Sequence, residues 1–530
     1  MTVLEKIRQN ALDLPNQTVI TEHLGLNQSD SLTFAQLEAQ SSALATELAQ
    51  HGLVPGQMAG IFMQRCPAHV VAMIAILKTG AAFFSLNPRL SLVQITFSLK
   101  LCQAPILLVD SSSLLRLSQA TEEFNNIKIM HLYTGTLSPV HQQLLKKNPQ
   151  VPSLRLESSP APIPPVADIP SDPALALFTS GSTGNPKGVL ISRQDLFNRV
   201  TREINDFELQ PSDRLLGLLP FSFDVGLNQL FSALLGGIEL VLSNSWLPRD
   251  ICATVKNYQI SGISAVPAIW TELLTLPKAL IQATFQSVRY LTVSGGDLAI
   301  EQLMQLREFL PACGIYKTYG QTETFRSGIL KPAEFAHKMT SVGHPVKGTQ
   351  VFIINSKGKP VPPGQIGQII HRGDGTMLGY VGDPSATRKK LRPNPRQTRT
   401  ATFRQPVIYT GDLGKMDADG FLYIMGRKDK MLKINGYRIY PGEIQNAILA
   451  HEAVLEAVAF GVKTTPASTQ IFAEVRCKES AELNEHRLKQ FLATRLPSYM
   501  QPAKIIFVTS FPRTGSGKIR LAQVEEKYHV

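Results

Sequence analysis

Ten consecutive residues, Thr179-Ser180-Gly181-Ser182-Thr183-Gly184-Asn185-Pro186-Lys187-Gly188, hold four hydroxyls, three glycines and one lysine. Glycines let backbone N–H groups come close to an anion, hydroxyls add donors, and Lys187 adds charge. That is the chemistry of a loop that holds a polyphosphate. The spacing of a Walker A loop is absent. A second cation, Lys518, ends Gly515-Ser516-Gly517-Lys518 near the C-terminus; alone, such a segment reads as a solvated turn. A third feature is Asp224, in Pro220-Phe221-Ser222-Phe223-Asp224-Val225. Its plain structural reading is an N-cap, because a helical stretch begins there.

Elements must position these groups. Ala174–Phe178 reads as a strand feeding the glycine-rich loop. Upstream, Ala59–Met63 and Ala82–Leu86 read as buried strands, and Leu32–His51 and Ala68–Thr79 as helices. Such alternation predicts a largely parallel sheet. Residues 151–173 carry seven prolines and read as an extended connection. A second α/β stretch runs from Ala174 to about Leu330. Short strands with glycine turns follow, over Gly343–Tyr423. The last hundred or so residues form an αβ unit, with helices at Gly442–His451 and His486–Leu496 and strands at Val454–Val462, Gln470–Arg476 and Ala503–Val508.

The 530 residues are 43% hydrophobic and 18% charged, which excludes a disordered, collagen-like or coiled-coil chain. No apolar run reaches the ~18 residues of a membrane span. Five scattered cysteines without CxxC spacing point to a reducing compartment, with neither disulfides nor a zinc site. A soluble, cytoplasmic protein is expected. The net charge of +12 raises nucleic acid as a partner. No aromatic-basic interleaving or docking motif supports that, so neither nucleic acid nor membrane is expected. Part of the excess is local: Arg388, Lys389, Lys390, Arg392, Arg396, Arg399 and Arg404 lie in a run without an acid. It reads as a solvated loop, or as a docking patch for an acidic partner or phosphate.

Taken together, the motifs resemble those of the adenylate-forming superfamily, which includes acyl-CoA synthetases, luciferases and the adenylation domains of nonribosomal peptide synthetases. Seven occur in order between Leu77 and Lys518. Leu77–Ala82 with Leu86-Asn87-Pro88 resembles an early core motif, and Thr179–Gly188 the phosphate loop. Tyr319-Gly320-Gln321-Thr322-Glu323 is similar to YGxTE, and Tyr409-Thr410-Gly411-Asp412 to YTGD. Gly426-Arg427-Lys428-Asp429 with Lys433–Ile439 resembles the hinge. Leu496–Met500 with Pro502 resembles LPxYM-P, and Pro512–Lys518 the motif of the catalytic lysine.

The resemblance implies an α/β fold. A large N-terminal domain, 1–428, would hold two α/β subdomains and a β-rich one; a small mobile αβ domain, 429–530, would carry Lys518 and rotate about Asp429. It implies ATP and Mg²⁺. Adenylation brings a carboxylate to the α-phosphate, so cations must offset the repulsion. Lys518 would bridge the two anions. Thr179, Ser180, Gly181, Ser182, Thr183, Gly184 and Lys187 would hold the phosphates, and Glu323 the metal. Asp412 would accept from the ribose hydroxyls beside Arg427. Tyr319, with Gly320 and Thr322, would line the adenine pocket. Lys433 would be structural.

In amino-acid-activating members, an aspartate at the place of Asp224 pairs with the α-ammonium; beside a fatty chain, a buried carboxylate would be costly. The side-chain pocket would be lined by Val225, Asn228, Ile269, Val293, Gly295, Thr318, Arg326 and Ser327. The set is mostly small and neutral, with Arg326 either pairing with a polar substrate group or facing solvent. A small neutral L-amino acid, with proline preferred on resemblance alone, is expected. Twelve residues follow Lys518 and contain no carrier domain. The expected partner is therefore a separate phosphopantetheinylated carrier protein, serving a free-standing enzyme. The rivals are an acyl- or aryl-CoA ligase of the same superfamily and a catalytically silent binding protein of this fold.

Overall fold

Apolar residues run without a break from Val70 to Leu77, and Pro67 stands at the first turn of the helix they form, Pro67–Lys78. Proline costs nothing there, since its missing N–H has no intrahelical partner. A helix apolar on every side must be buried on every side. All residues from Pro67 to Leu77 are buried, and they share one core with the helix Asp224–Gly236 and with strands of both large sheets. The computed structural model describes residues 1–25, 28–118, 127–133, 142–143, 145–146, 151–156, 168–179, 186–396, 406–434, 437–465, 468–479 and 481–528.

Among the described residues, one sheet has eight strands, with Pro173–Thr179, Ala82–Ser85, Met58–Phe62, Ile106–Val109 and Lys128–Tyr133 side by side and parallel. The expected parallel arrangement is therefore present. A second sheet has nine strands. Its parallel centre is Gly314–Tyr319, Tyr290–Val293, Gly262–Ala265, Arg214–Gly217 and Glu239–Leu242. Its far edge comes from the chain's start: Thr18–Gly25 lies parallel to Glu239–Leu242, and Gln28–Thr33 pairs beyond it. Local patterning does not reveal that exchange, because the pairing spans over two hundred residues. Residues 151–173 contribute a short strand, Ser153–Arg155, beside Lys128–Tyr133; 157–167 lie outside the described residues.

The β-rich segment is a third, antiparallel sheet, built on Thr349–Ile354, Gly367–Gly373, Pro406–Met416 and Leu422–Arg427. Near the C-terminus, Val454–Thr465, Ser468–Cys477 and Lys504–Phe507 form a sheet carrying the helices Pro441–Leu449 and Glu485–Ala493. Ile444, Ile448, Ala473, Leu488 and Leu492 give this unit its own core.

Arg65, buried after the strand Met58–Phe62, joins the two large sheets. Its guanidinium donates to the carbonyls of Gly217 (2.8 Å), Leu219 (3.0 Å) and Ser243 (2.6 Å). These follow or end strands of the nine-stranded sheet, so Arg65 fixes the segment that leads into Asp224. The carboxyl ends of parallel strands, where such segments gather, are where open α/β sheets bind ligands. No described helix is long and apolar enough to cross a membrane.

Candidate active site

Tyr319 ends the strand Gly314–Tyr319, and Asp412 sits mid-strand in Pro406–Met416. The Tyr319 hydroxyl donates to Asp412 Oδ2 at 2.6 Å, and the Gln321 amide donates to the same oxygen. Arg427 donates to Asp412 Oδ1 at 3.3 Å and to the Thr410 carbonyl at 3.3 Å. Asp412 is buried, and the Tyr319 bond to it is shorter than that of Arg427. Burial, then the carboxylate of Asp412, pushes the Tyr319 phenol far up, so it stays a donor. Tyr319 thus has its hydroxyl pinned and its ring left to form wall. Arg427 also donates to Asp429 Oδ1 at 3.2 Å, which ties the expected hinge residue to this corner.

Glu323 occupies a second corner. It accepts from the Tyr380 hydroxyl at 2.6 Å and lies 3.8 Å from the Lys390 ammonium. Lys390 donates to Gln321 Oε1 (3.0 Å) and to the Thr410 carbonyl (2.8 Å), linking the two corners. Burial lowers its pKa, against the pull of Glu323. Lys187, at the start of the strand Lys187–Ser192, stands 5.4 Å from the centre of the Tyr380 ring. Thr179 accompanies it, with its hydroxyl 3.5 Å from the Lys187 carbonyl. Ser180, Gly181, Ser182, Thr183 and Gly184, together with the Lys433 side chain, lie outside the described residues.

The third corner joins Asp224 to Lys518. Thr514 and Lys518 bond each other across a turn, Thr514 N–H to the Lys518 carbonyl (2.7 Å) and Lys518 N–H to Thr514 Oγ1 (3.1 Å). Arg513, held by Glu456 at 2.6 Å, anchors this turn to the C-terminal unit. The turn reaches across to the nine-stranded sheet. Lys518 Nζ lies 5.1 Å from the centre of the Phe223 ring, and a Cβ on Gly295 would stand 3.1 Å from Lys518 Cε. Gly295 also has φ +75°, a conformation other residues resist. Elsewhere on this contact, Arg476 pairs with Glu272, and Gln302 donates to the Leu455 carbonyl at 3.4 Å.

A cavity of about 50 Å³ brings Asp224, Val225, Gly295, Thr318, Tyr319, Gly320, Thr322, Arg326 and Lys518 onto one wall. Ser294, Gln321 and Phe325 complete it. Of the expected pocket set, Asn228, Ile269, Val293 and Ser327 are not on that wall. Ser327 turns to the Thr324 hydroxyl (3.2 Å) and His371 Nδ1 (3.0 Å). Asn228 bonds the Asp224 carbonyl at 2.6 Å, one turn deeper. Ile269 is buried in the helix Pro267–Leu273, and Val293 ends its strand. The loop after Tyr319 is tight: a Cβ on Gly320 would meet the Phe325 carbonyl oxygen at 1.5 Å, so only glycine fits.

Three expectations change. Asp224 is not an N-cap: Phe223 holds that place, and the Asp224 carboxylate accepts from Val225 N–H at 2.9 Å. Burial raises its pKa, and the Lys518 ammonium opposes the rise. Arg326 does not face solvent; it is buried and paired with Glu203 at 3.1 Å. The basic run is not simply solvated. Lys390 is a site residue, and Arg392 and Arg396 stack on Tyr409 (4.7 Å) and Phe352 (4.2 Å). Arg399 and Arg404 lie outside the described residues.

A family model described as AMP-binding enzyme matches residues 7–381, and one described as AMP-binding enzyme C-terminal domain matches 443–518. The chain belongs to the AMP-binding enzyme family. As a member of the adenylate-forming superfamily it is an AMP-forming ligase. It is 28% identical over 509 residues to gramicidin S synthase 2 of Brevibacillus brevis, covering 94% of this chain and 10% of that protein. It is 27% identical over 515 residues to the dimodular nonribosomal peptide synthase of Bacillus subtilis (strain 168), covering 95% and 20%. The chain therefore spans no more than about a fifth of either relative. Among solved structures it resembles o-succinylbenzoate CoA synthetase (MenE) from Bacillus subtilis in complex with the acyl-adenylate intermediate OSB-AMP. The TM-score is 0.81 at 25% identity, over 99% of this chain and 98% of that one. The same synthetase in complex with ATP and magnesium ion matches at TM-score 0.79 and 25% identity, over 99% and 98%.

Gln321, Tyr380 and Lys390 escaped the sequence reading as site residues. Gln321 lies inside a motif already singled out, at its variable place. Tyr380 and Lys390 carry no local signal, since only the fold sets them beside Glu323.

Proposed function

We infer that this chain activates a small neutral α-amino acid with ATP, releasing pyrophosphate. The aminoacyl group then passes from the adenylate to the phosphopantetheine thiol of a separate carrier protein. One observation carries the reading: a buried carboxylate, Asp224, shares a cavity wall with Lys518. A CoA ligase for aryl or fatty acids has no use for a buried anion there, whereas an α-ammonium would repay its desolvation. The carboxylate of the same amino acid would then lie toward Lys518.

The amino-acid carboxylate attacks the α-phosphorus, the bond to the bridging oxygen breaks, and pyrophosphate leaves. Lys518 sits between the two anions and offsets the charge that gathers as they approach. Asp412 accepts from the ribose hydroxyls, with Tyr319 and Arg427 holding its oxygens in place. Thr179 and Lys187 are the described members of the segment that would hold the phosphates. Glu323 is the carboxylate for Mg²⁺. A single carboxylate fits that ion, which takes its remaining ligands from phosphates and water; when bound, it neutralises phosphate charge. The likeness to a synthetase solved with ATP and magnesium ion supports both assignments.

Residues 1–428 act as the ATP-holding domain, and 429–530 as a lid pivoting at Asp429. Lys518 must leave before a thiol can reach the adenylate, and a separate domain permits that. Proline gains no support from the cavity wall. A cytoplasmic location fits the dispersed cysteines. The test is product capture by mass spectrometry, with the enzyme, ATP and the activated acid offered either a phosphopantetheinylated carrier protein or CoA. Loading of the carrier supports the reading, and a CoA thioester without carrier loading refutes it in favour of a CoA ligase.

A further inference from the structure

Lys518 carries its ammonium on a flexible four-carbon stem, so the charge goes where the turn beneath it is held. That turn is closed by its own bonds. Thr514 and Lys518 pair across it, Gly517 N–H donates to the Thr514 carbonyl at 2.9 Å, and Arg513 donates to the Gly517 carbonyl at 3.1 Å. These bonds give the turn its shape. They do not decide where between the two large sheets it comes to rest.

Two close approaches do. A Cβ on Gly515 would stand 2.2 Å from Asn87 Nδ2, and a Cβ on Gly517 would stand 3.1 Å from Val266 Cγ2 and 3.2 Å from Trp246 Cζ3. A side chain at either place would push the turn off its neighbours. The neighbours come from different sheets. Asn87 follows the strand Ala82–Ser85 of the eight-stranded sheet; Trp246 and Val266 follow the strands Glu239–Leu242 and Gly262–Ala265 of the nine-stranded one. Both are themselves held. Asn87 Oδ1 accepts from Arg89 N–H at 2.9 Å, and the half-buried Trp246 donates its indole N–H to the Leu218 carbonyl at 2.8 Å. The Arg89 guanidinium lies 5.6 Å from the centre of the Trp246 ring, so one residue ties the two supports together.

We propose that Asn87 and Trp246 are positioning residues for adenylation, a seat that sets the turn so that Lys518 comes between the two reacting anions. This rests on the reading of Lys518 above and adds the groups of the large domain through which the lysine acts. Misplacing a reacting group by about 1 Å can cost about 10²-fold in rate.

A double-mutant cycle on the full chain tests this by pyrophosphate exchange, run with ATP, Mg²⁺ and a mixture of the twenty common L-amino acids, salicylate and octanoate. Trp246→Ala should lower the saturated rate about 10- to 100-fold with the KM for ATP kept within a few-fold. Trp246→Phe, which keeps an aromatic edge, should recover most of it. In a Lys518→Ala background, Trp246→Ala should cost no more than about 2-fold further, because it acts through the lysine. Gly515→Ala should also slow exchange, and adding Asn87→Ala should restore part of the rate by making room for the methyl. A merely structural role would make Trp246→Ala equally costly with and without Lys518, and overturns the proposal; so does an undiminished rate in Trp246→Ala while Lys518→Ala is slow. If Lys518→Ala leaves exchange unchanged, the reading of Lys518 falls and the proposal with it. Hydrogen–deuterium exchange of the full chain needs no acid at all. Trp246→Ala should raise deuterium uptake in peptides covering 512–520 several-fold, and unchanged uptake overturns the seat whichever acid is activated.

Discussion

Asp412→Asn changes one atom and probes the corner on which nucleotide binding rests. The carboxylate takes the Tyr319 hydroxyl and the Gln321 amide on one oxygen and Arg427 on the other. An asparagine must turn its NH₂ toward one of these sides. Facing Arg427, it sets donor against cation; facing Tyr319 and Gln321, it sets donor against donors. At least one charge-assisted bond is lost in a buried setting, which costs about 1.5–3 kcal/mol. The pocket would also lose its best acceptor for the ribose. The KM for ATP in pyrophosphate exchange is expected to rise about 10- to 150-fold, at 1.36 kcal/mol per decade. The sharper readout is discrimination: wild type should prefer ATP over 2′-deoxy- and 3′-deoxy-ATP, and the variant should lose most of that preference. An unchanged KM with discrimination retained would refute Asp412 as the ribose acceptor.

Further outcomes follow from the same geometry. Lys518→Ala should slow exchange by roughly 10²–10³ while ATP binding by calorimetry changes little, since the lysine acts as charge develops; equal loss of both would make it a binding residue. Lys390→Met should raise the Mg²⁺ concentration needed for half-maximal exchange, because Lys390 spans Gln321, Thr410 and Glu323. An unchanged Mg²⁺ profile would leave it a packing residue. His371 is buried between the Ser327 hydroxyl and the Asp374 carbonyl, and burial pushes its pKa down to about 4. A group that the fold keeps neutral in this way adds stability that is complete above its ordinary pKa near 6.5 and is lost as pH falls through about 4. The loss amounts to at most roughly 3 kcal/mol. Denaturant melts of wild type and His371→Asn from pH 7 to 4 should converge toward acid, and parallel curves would contradict that.

What could be read from sequence divides along physical lines. Contiguous motifs were enough to point to the family that the match over residues 7–381 shows, because their glycines, hydroxyls and charges stand side by side in the chain. The helix Pro67–Lys78 was legible for a similar reason, since an unbroken apolar run has nowhere else to go. Groups assembled across the chain were not. Tyr380, on a short strand pairing with Lys187–Ser192, and Lys390, at the end of the helix Pro384–Lys390, meet Glu323 only in the folded chain, and Lys390 looked like one more cation in a basic run. Arg326 was singled out as unusual, but its partner Glu203 lies 123 residues earlier on another helix, and nothing local marks the pair. The first strands joined a sheet built mainly from residues 214–345, a pairing that no local pattern encodes.

Amino-acid-dependent ATP–pyrophosphate exchange, run on wild type, Asp224→Ala and Lys518→Ala with amino, aryl and fatty acids, tests the central claim most directly. Expected is strong exchange with a small uncharged amino acid, slowed by roughly 10²–10³ in Lys518→Ala and by about 100-fold or more in Asp224→Ala. Exchange driven by an aryl or fatty acid and indifferent to Asp224 would contradict it.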